Sequence, residues 1–281
     1  MPLTRDFEVI NDVRFFKPMR AIFSGSSQSG KTHLIGKILQ RQKRLFGDCF
    51  TQVKYFYPDY LEECPVDWHN DIETPISYHC GFPNKEEVLS MPQNSLLIID
   101  DNMKKVVKSE LMRQFFNVIS GKKQISIIVV TQNYFTQGPY SRDIRNSSNY
   151  VALFRNCADA TLNKRVATAF GLGKSYVAAE SDVFQDIVYP YVFIDQSQRA
   201  QLSSYRLFTD ILGRVKIAYN ADGMKGYVLS EADFCQAYKI LETKKKFVTA
   251  IANEDKKRKL PPNCESTSKK PKRKKRRRDD E

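Results

Sequence analysis

One octapeptide near the start of the chain has residue types and spacing suited to holding phosphate groups. It fits the pattern G-x-x-x-x-G-K-[ST] and consists of Gly25, Ser26, Ser27, Gln28, Ser29, Gly30, Lys31 and Thr32. Glycines let a backbone curl until successive N–H groups face one anion. A helix starting there would add its positive dipole end, Lys31 would reach the β- and γ-phosphates, and the Thr32 hydroxyl would ligate Mg²⁺. The pattern predicts an ATP-binding loop; the alternative is an ordinary Gly/Ser turn before a helix.

Two carboxylates follow a continuous apolar run at residues 96–101, which read LLIIDD. In open α/β sheets ligands lie beyond the carboxyl ends of the strands. We therefore expect Asp100 to bind Mg²⁺, directly or through water, and Asp101 to orient or deprotonate the attacking water. Alone, such an acidic pair is more often the start of a solvated turn. The phosphate-loop pattern earlier in the chain favours the metal site.

The next apolar run ends in Thr131-Gln132-Asn133, and Gln132 is the candidate that contacts the γ-phosphate or the water. The alternative is a polar cap at a strand end. A polar loop at residues 134–146 follows and contains Arg142 and Arg145. Ring ATPases commonly lend an arginine to the neighbouring subunit's γ-phosphate, and Arg142, Arg145 or Arg155 is a candidate for this role. The alternative is that these arginines are solvated or paired with carboxylates.

Alternating apolar and helical patterns must position these groups. They predict strands at residues 19–24, 53–57, 95–100, 124–131, 149–154, 189–194 and 203–208, and helices at 31–44, 106–120 and 158–170. Residues 58–92 form an irregular insertion with a short helix near 85–90. This alternation predicts an α/β fold with a mainly parallel central sheet flanked by helices.

The order of the parts narrows the class of nucleotide-binding fold. A strand with a polar tip follows the acidic strand, which resembles the additional-strand type of P-loop NTPase better than GTPases or nucleotide kinases. Residues 163–166 read NKRV and lack the Asp of the base-reading motif N-K-x-D, and an LSGGQ motif is absent. We expect an ATPase domain at residues 1–253.

Residues 254–281 form a low-complexity tail with 13 Lys/Arg and six Asp/Glu, in a chain with a net charge of +13. We expect this tail to be disordered. Its two basic clusters within residues 256–278 are typical of a bipartite nuclear localisation signal. They predict binding to a nuclear import receptor and localisation in a host nucleus, a virion or both. A non-specific DNA-binding tail is the competing interpretation.

Hydropathy and cysteine spacing argue against a membrane-spanning protein and a disulfide framework, and a zinc site is a weak candidate. No apolar run approaches the length of about 20 residues that crosses a bilayer, so no membrane partner is expected. The six cysteines lack CxxC spacing, which favours free thiols in a reducing compartment. A zinc site at Cys64, His69, His79 and Cys80 has unfamiliar spacing and is disfavoured.

Two lysine clusters are candidates for contacting DNA phosphates, although solvated helix faces explain them equally well. They are Lys104, Lys105 and Lys108, and Lys122 with Lys123.

The assembled motifs resemble a known family. GSSQSGKT, LLIIDD and residues 115–155 look like the genome-packaging ATPases of the FtsK–HerA superfamily, of the type in poxviruses and Polinton-like elements. Residues 134–156 are similar to the family's pattern of an aromatic–x–x–G loop, an Arg- and Asn-containing segment, here RDIRNSSNY, and a strand ending in F-R-N. One departure is Asp101, where many cellular members have Glu.

The resemblance implies a ring of identical subunits that uses ATP and Mg²⁺ to move double-stranded DNA into a capsid. It also implies a capsid or portal partner. Two alternatives stay open: another ATP-dependent nucleic-acid motor, such as a helicase or mobilisation ATPase, and a DNA-binding nucleotide switch with little hydrolysis.

Overall fold

The computed structural model describes residues 7–9, 14–69, 71–156, 159, 161–183, 188–198, 205–213 and 216–229. Within these residues the chain forms an eleven-stranded sheet with helices packed on it. The predicted basic tail at residues 254–281 lies outside the described residues. Among the described residues, no helix combines the length and apolar character needed to span a bilayer.

The strands are short, at three to six residues each. They are β1 (Phe7–Val9), β2 (Arg20–Ser24), β3 (Val53–Tyr57), β4 (Ile76–Cys80), β5 (Leu96–Ile99), β6 (Ser126–Thr131), β7 (Tyr150–Phe154), β8 (Tyr191–Asp195), β9 (Tyr205–Phe208), β10 (Lys216–Asn220) and β11 (Lys225–Leu229).

The helices connect these strands. They are α1 (Lys31–Gln40), α2 (Gln42–Phe46), α3 (Lys85–Leu89), α4 (Met103–Val106), α5 (Glu110–Gln114), α6 (Ser120–Lys123), α7 (Ser141–Ser147), α8 (Leu162–Ala169) and α9 (Gly173–Val183). A π-helical segment, Phe115–Ile119, joins α5 to α6.

The strand order is β1-β11-β10-β9-β8-β7-β2-β6-β5-β3-β4. From β7 to β4 every neighbouring pair is parallel, whereas β8, β9, β10 and β11 extend the sheet in antiparallel fashion. The predicted mainly parallel α/β sheet is confirmed. Strand β6 lies between β2 and β5, so an additional strand separates the phosphate-loop strand from the acidic strand.

Both faces of the central strands are covered, which explains their uninterrupted apolar sequences. In β5, Leu97 and Ile99 pack in one cluster with α5, α8 and α9, and Leu96 and Ile98 pack in a second cluster with α1 and α2. Burying each such side chain contributes about 1.5–3 kcal/mol. The middle of the sheet is therefore a rigid base for the residues at its carboxyl edge.

Several predicted elements differ from the observed ones. The predicted helix at residues 31–44 divides at Arg41 into α1 and α2. The predicted helix at 106–120 is interrupted because the Ser109 side chain accepts a hydrogen bond from the Met112 N–H and starts a new helix, α5.

Elsewhere, secondary structure occurs where none was predicted. The polar loop at residues 134–146 contains most of α7, which is anchored by the buried Ile144. The 58–92 insertion contains the predicted short helix, α3, and also an unpredicted edge strand, β4. Helix α9 and strands β10 and β11 were not predicted either.

Candidate active site

The phosphate-loop residues connect β2 directly to α1, as the sequence pattern predicts. The Gly25 N–H donates to the carbonyl of Thr131, 3.2 Å away at the end of β6. Gly30 has a φ of 95° and caps the N-terminus of α1. Because the first N–H groups of a helix have no partner within it, the end of α1 offers several donors to an anion.

Neither glycine of the pattern tolerates a side chain. A Cβ on Gly25 would lie 2.6 Å from the Phe154 Cβ, and one on Gly30 would lie 2.6 Å from the Tyr189 Cβ. Such distances are far inside van der Waals contact. The loop therefore keeps its curled path only with glycine at both positions, as a phosphate-binding backbone requires.

Lys31 lies over this loop and is 9% exposed. Its ammonium group donates to the Gly25 carbonyl at 2.9 Å and to the Ser26 carbonyl at 2.5 Å. Burial lowers the pKa of Lys31, and the negative charges of Asp100 and Asp101 oppose that shift. The lysine is thus electrostatically linked both to the loop and to the acidic pair.

Asp100 follows β5 and is held by a residue on the neighbouring strand β3. The Tyr55 hydroxyl donates to Asp100 Oδ2. Burial raises the pKa of Asp100, the charge of Asp101 adds to that rise, and the Tyr55 hydrogen bond and Lys31 oppose it. Burial also raises the pKa of Tyr55, with Asp100 contributing, so the phenol stays a donor.

Asp101 adopts a backbone conformation that is uncommon outside glycine, with a φ of 45°. Its Oδ2 accepts two hydrogen bonds of 3.1 Å, one from the Tyr60 hydroxyl and one from Gln132 Nε2. The structure therefore brings Asp101 and Gln132 into direct contact across β5 and β6. A cavity of about 510 Å³ beside them, also lined by Lys104 and Lys105, has room for a water nucleophile.

The donor set fits ATP and Mg²⁺. The glycine cradle, the α1 N-terminus and Lys31 together suit a polyphosphate. Thr32 and Asp100 offer a hydroxyl and a carboxylate, which are the hard oxygen ligands that Mg²⁺ prefers. When bound, the metal would neutralise charge on the phosphates.

The candidate arginines lie on or beyond α7. Arg142 is exposed on this helix. Arg145 packs inward, with its Cζ 5.7 Å from the Phe135 ring centroid and 6.0 Å from that of Tyr134. Its Nη1 is buried and has no hydrogen-bond partner among the described residues. A role in a neighbouring subunit stays a prediction for both, as it does for Arg155.

In each of the two lysine clusters, one lysine already contacts another residue of the chain. Lys105 pairs with Asp59 at 2.7 Å, and Lys123 donates to the Leu89 carbonyl. Lys104, Lys108 and Lys122 are exposed. Their contact with DNA stays a prediction.

The disfavoured zinc ligands make other contacts. The His79 ring stacks on Phe56 at 4.8 Å, and the His69 ring packs edge-on against Tyr78 at 5.0 Å. Within the described ranges, no group of three or more His, Cys, Asp or Glu is arranged to hold a metal. Cys49, Cys64 and Cys80 are free thiols.

Sequence reasoning missed Tyr55 and Tyr60, the two phenols that hold the acidic pair. Tyr55 lies in an ordinary strand sequence, VKYFY, where tyrosine is a common strand residue. Only the register between β3 and β5 places it beside Asp100. Tyr60 lies in the 58–92 insertion, where the sequence suggested only the disfavoured zinc site and no partner for the acidic pair.

No protein-family model matches the sequence, and no curated protein matches it. Among solved structures, the chain is similar to the genome packaging NTPase B204 from Sulfolobus turreted icosahedral virus 2, with 12% identity, a TM-score of 0.42 and coverage of 64% of this chain and 92% of that chain.

Two cellular proteins are similar at the same level. One is the flagellar accessory protein FlaH from Methanocaldococcus jannaschii, with 14% identity, a TM-score of 0.36 and coverage of 50% of this chain and 72% of that chain. The other is a KaiC-like protein from Pyrococcus horikoshii OT3, with 13% identity, a TM-score of 0.36 and coverage of 76% of this chain and 90% of that chain. The strand order and the phosphate loop place the described residues in the additional-strand class of P-loop NTPase folds.

Proposed function

We propose that this chain is a Mg²⁺-dependent ATPase that drives double-stranded DNA into a viral capsid. The observation that carries the ATPase part is a convergence at one edge of the sheet. The phosphate loop, Gln132 and the Asp100–Asp101 pair follow the adjacent strands β2, β6 and β5. The packaging part is supported by the sequence resemblance of residues 134–156 to packaging ATPases.

Each residue has a defined role in this proposal. Lys31 binds the β- and γ-phosphates, and Thr32 and Asp100 hold Mg²⁺. Asp101 activates the attacking water, and Gln132 fixes the orientation of its carboxylate, as their 3.1 Å hydrogen bond supports. Preorganised polar groups of this kind each contribute on the order of 10²-fold to a rate.

The proposed assembly is a homo-oligomeric ring around duplex DNA. Arg142 or Arg145 of one subunit would act on the γ-phosphate of the next, an effect on the order of 10³- to 10⁵-fold in related chemistry. A capsid or portal protein would hold the ring. The tail at residues 256–278 would bind a nuclear import receptor and take the protein to a host nucleus, a virion or both.

The first experiment measures ATP hydrolysis by the full chain with and without duplex DNA. Lys31→Ala and Asp101→Asn should each abolish hydrolysis, because one removes the phosphate contact and the other the activating carboxylate. Lys37→Ala is the matched control, since Lys37 lies on the same helix and contacts Gln40. Stimulation by duplex and loss in both variants would support the motor.

Other outcomes point to the other functions. Strand separation coupled to hydrolysis would indicate a helicase, because a packaging motor moves duplex intact. Absence of hydrolysis, with DNA binding unaffected by Lys31→Ala but abolished by deleting residues 256–281, would indicate a nucleotide switch. Equal hydrolysis in wild type and Lys31→Ala would refute the assignment of the phosphate loop.

A further inference from the structure

A second cavity opens beside the phosphate loop, between the start of α1 and the antiparallel part of the sheet. Its volume is about 640 Å³, which lies within the usual range for small-molecule sites. Gly30 and His33 of the loop and α1 form one side. Residues after β7 form the other side. The antiparallel part of the sheet therefore contributes to this cavity together with the phosphate loop.

An aromatic side chain joins the cavity to the loop. The Tyr189 ring lies against Gly30, where an added Cβ would come within 2.6 Å of it. Its centroid is 5.4 Å from that of His33. Tyr189 is still 41% exposed, so part of its ring is available to a ligand. A flat aromatic surface therefore adjoins the proposed position of the phosphates.

The rest of the wall is mainly apolar, with a few polar groups. Leu34, Phe154 and Ile217 line it. Thr209 also lines it and is 2% exposed, and its hydroxyl has no hydrogen-bond partner among the described residues. A buried hydroxyl without a partner is costly unless a ligand satisfies it. At the rim, Asp182 and Lys225 form an ion pair of 3.1 Å.

We propose that this cavity binds the purine base and ribose of the nucleotide whose phosphates lie on residues 25–32. Tyr189 stacks on the base, the Thr209 hydroxyl hydrogen-bonds to the base edge, and the Asp182 carboxylate faces the ribose hydroxyls. An apolar cleft with few polar groups is the usual form of such a site. This inference rests on the proposed function, since it requires that the loop bind a nucleotide.

The test compares the binding of ATP, GTP and inorganic tripolyphosphate by calorimetry, because tripolyphosphate has the phosphates without a base. Tyr189→Ala should weaken ATP binding by at least about fivefold, the lower end of the effect of base stacking on an aromatic ring. Tripolyphosphate binding should change less than about twofold. Tyr140→Ala, which removes a tyrosine outside the cavity, is the matched control.

Thr209→Val removes only the hydroxyl and keeps the shape of the side chain. Folding should be unaffected, because the hydroxyl has no partner to lose among the described residues. We expect ATP binding to weaken by about two- to tenfold, with a smaller ratio between the ATP and GTP affinities. Thr209→Ser keeps the hydroxyl and should restore that ratio.

The outcomes separate this inference from the proposed function. If both variants bind ATP as tightly as the wild type, the cavity is not the base site, although the loop can still bind phosphates. The inference is also wrong if Tyr189→Ala loses ATP and tripolyphosphate equally, because the ring would then support only the loop. Failure of the wild type to bind either compound would overturn both the inference and the proposed nucleotide site.

Discussion

Substitution of Tyr55 by Phe tests the electrostatics of the acidic pair. The change removes one oxygen atom and keeps the ring that fills the core between β3 and its neighbours. Asp100 then loses the hydrogen bond that Tyr55 donates to Oδ2. A hydrogen bond to a charged group contributes about 1.5–3 kcal/mol. Because that bond favours the ionised carboxylate, its loss should raise the pKa of Asp100 further.

The direction of the effect on activity follows from the role proposed for the ionised carboxylate. Burial already raises the pKa of Asp100 in the wild type, and the Tyr55 hydrogen bond limits that rise. Without the bond, Asp100 stays protonated to higher pH. The acidic limb of the pH profile of ATP hydrolysis should therefore move to higher pH. At pH values below that limb, the apparent affinity for Mg²⁺ should be reduced.

A stability measurement gives a readout that does not require activity. A carboxyl whose folded pKa is raised costs stability as pH increases from its unfolded pKa through its folded pKa. Tyr55→Phe enlarges that cost, so its loss of unfolding free energy should be larger at pH 7 than at pH 3, where Asp100 is neutral in both states. Chemical denaturation at both values of pH measures the difference.

Tyr78→Phe is the matched control for Tyr55→Phe. Tyr78 lies opposite Tyr55 on β4, and its hydroxyl accepts a hydrogen bond from the Trp68 N–H, whereas the Tyr55 hydroxyl donates to Asp100. It should lower stability equally at both values of pH and leave the activity profile in place. An unchanged profile in Tyr55→Phe, with a stability loss independent of pH, would refute the reasoning.

Three further predictions concern the same edge of the sheet. Gly30→Ala should weaken ATP binding in calorimetry by at least tenfold, because the φ of 95° disfavours a side chain and the Tyr189 ring occupies its space. Its control, Gly81→Ala, has a φ of 97° but open space around it, so it should lower stability and leave ATP binding unchanged. Asp100→Asn should raise the melting temperature at pH 7, since burial raises the carboxyl's pKa, while abolishing hydrolysis; a lower melting temperature would contradict this. Gln132→Ala should reduce kcat by at least tenfold and change KM for ATP by less than about threefold. A change confined to KM would show that Gln132 contributes to ATP binding and not to the chemical step.

The sequence was most informative where a strand is covered on both faces. The apolar runs of β5, β6 and β7 predicted buried strands because they are short, and a strand covered on both faces buries every one of its side chains. The phosphate loop was predictable because its spacing reflects backbone geometry within one short segment. Asp100, Asp101 and Gln132 followed from the rule that ligands lie at carboxyl edges of strands.

The sequence was less informative where burial is partial. Strand β4 has only Ile76 buried, so its sequence lacks a clear periodicity. Helix α7 is anchored mainly by Ile144 and Ser141, too few residues for a helical pattern. The turn between β10 and β11 contains Asp222-Gly223, with Gly223 at a φ of 83°, and this signal could have predicted the hairpin.

The contacts of Tyr55 in the acidic site and of Tyr189 in the second cavity could not be predicted from local sequence patterns. Tyr55 reaches Asp100 through the pairing of two strands separated in sequence, and Tyr189 reaches Gly30 through the path of the chain after β7. Local propensity contains no information about either contact. They depend on tertiary packing, which a single sequence does not reveal by its periodicity.

The central position of β2 determines when the phosphate loop can form during synthesis. Its neighbours are β6 and β7, and the Met19 N–H bonds to the Ser126 hydroxyl across 107 positions of sequence. The loop residues thus leave the ribosome long before the strands that shape them, and such long-range pairing folds slowly. Nascent chains that end before residue 126 lack β6 and β7, so they cannot form the bond between Gly25 and Thr131 that holds the loop at the sheet edge. Since a ligand stabilises only the state that it binds, we expect nucleotide to favour folding after the centre of the sheet has formed.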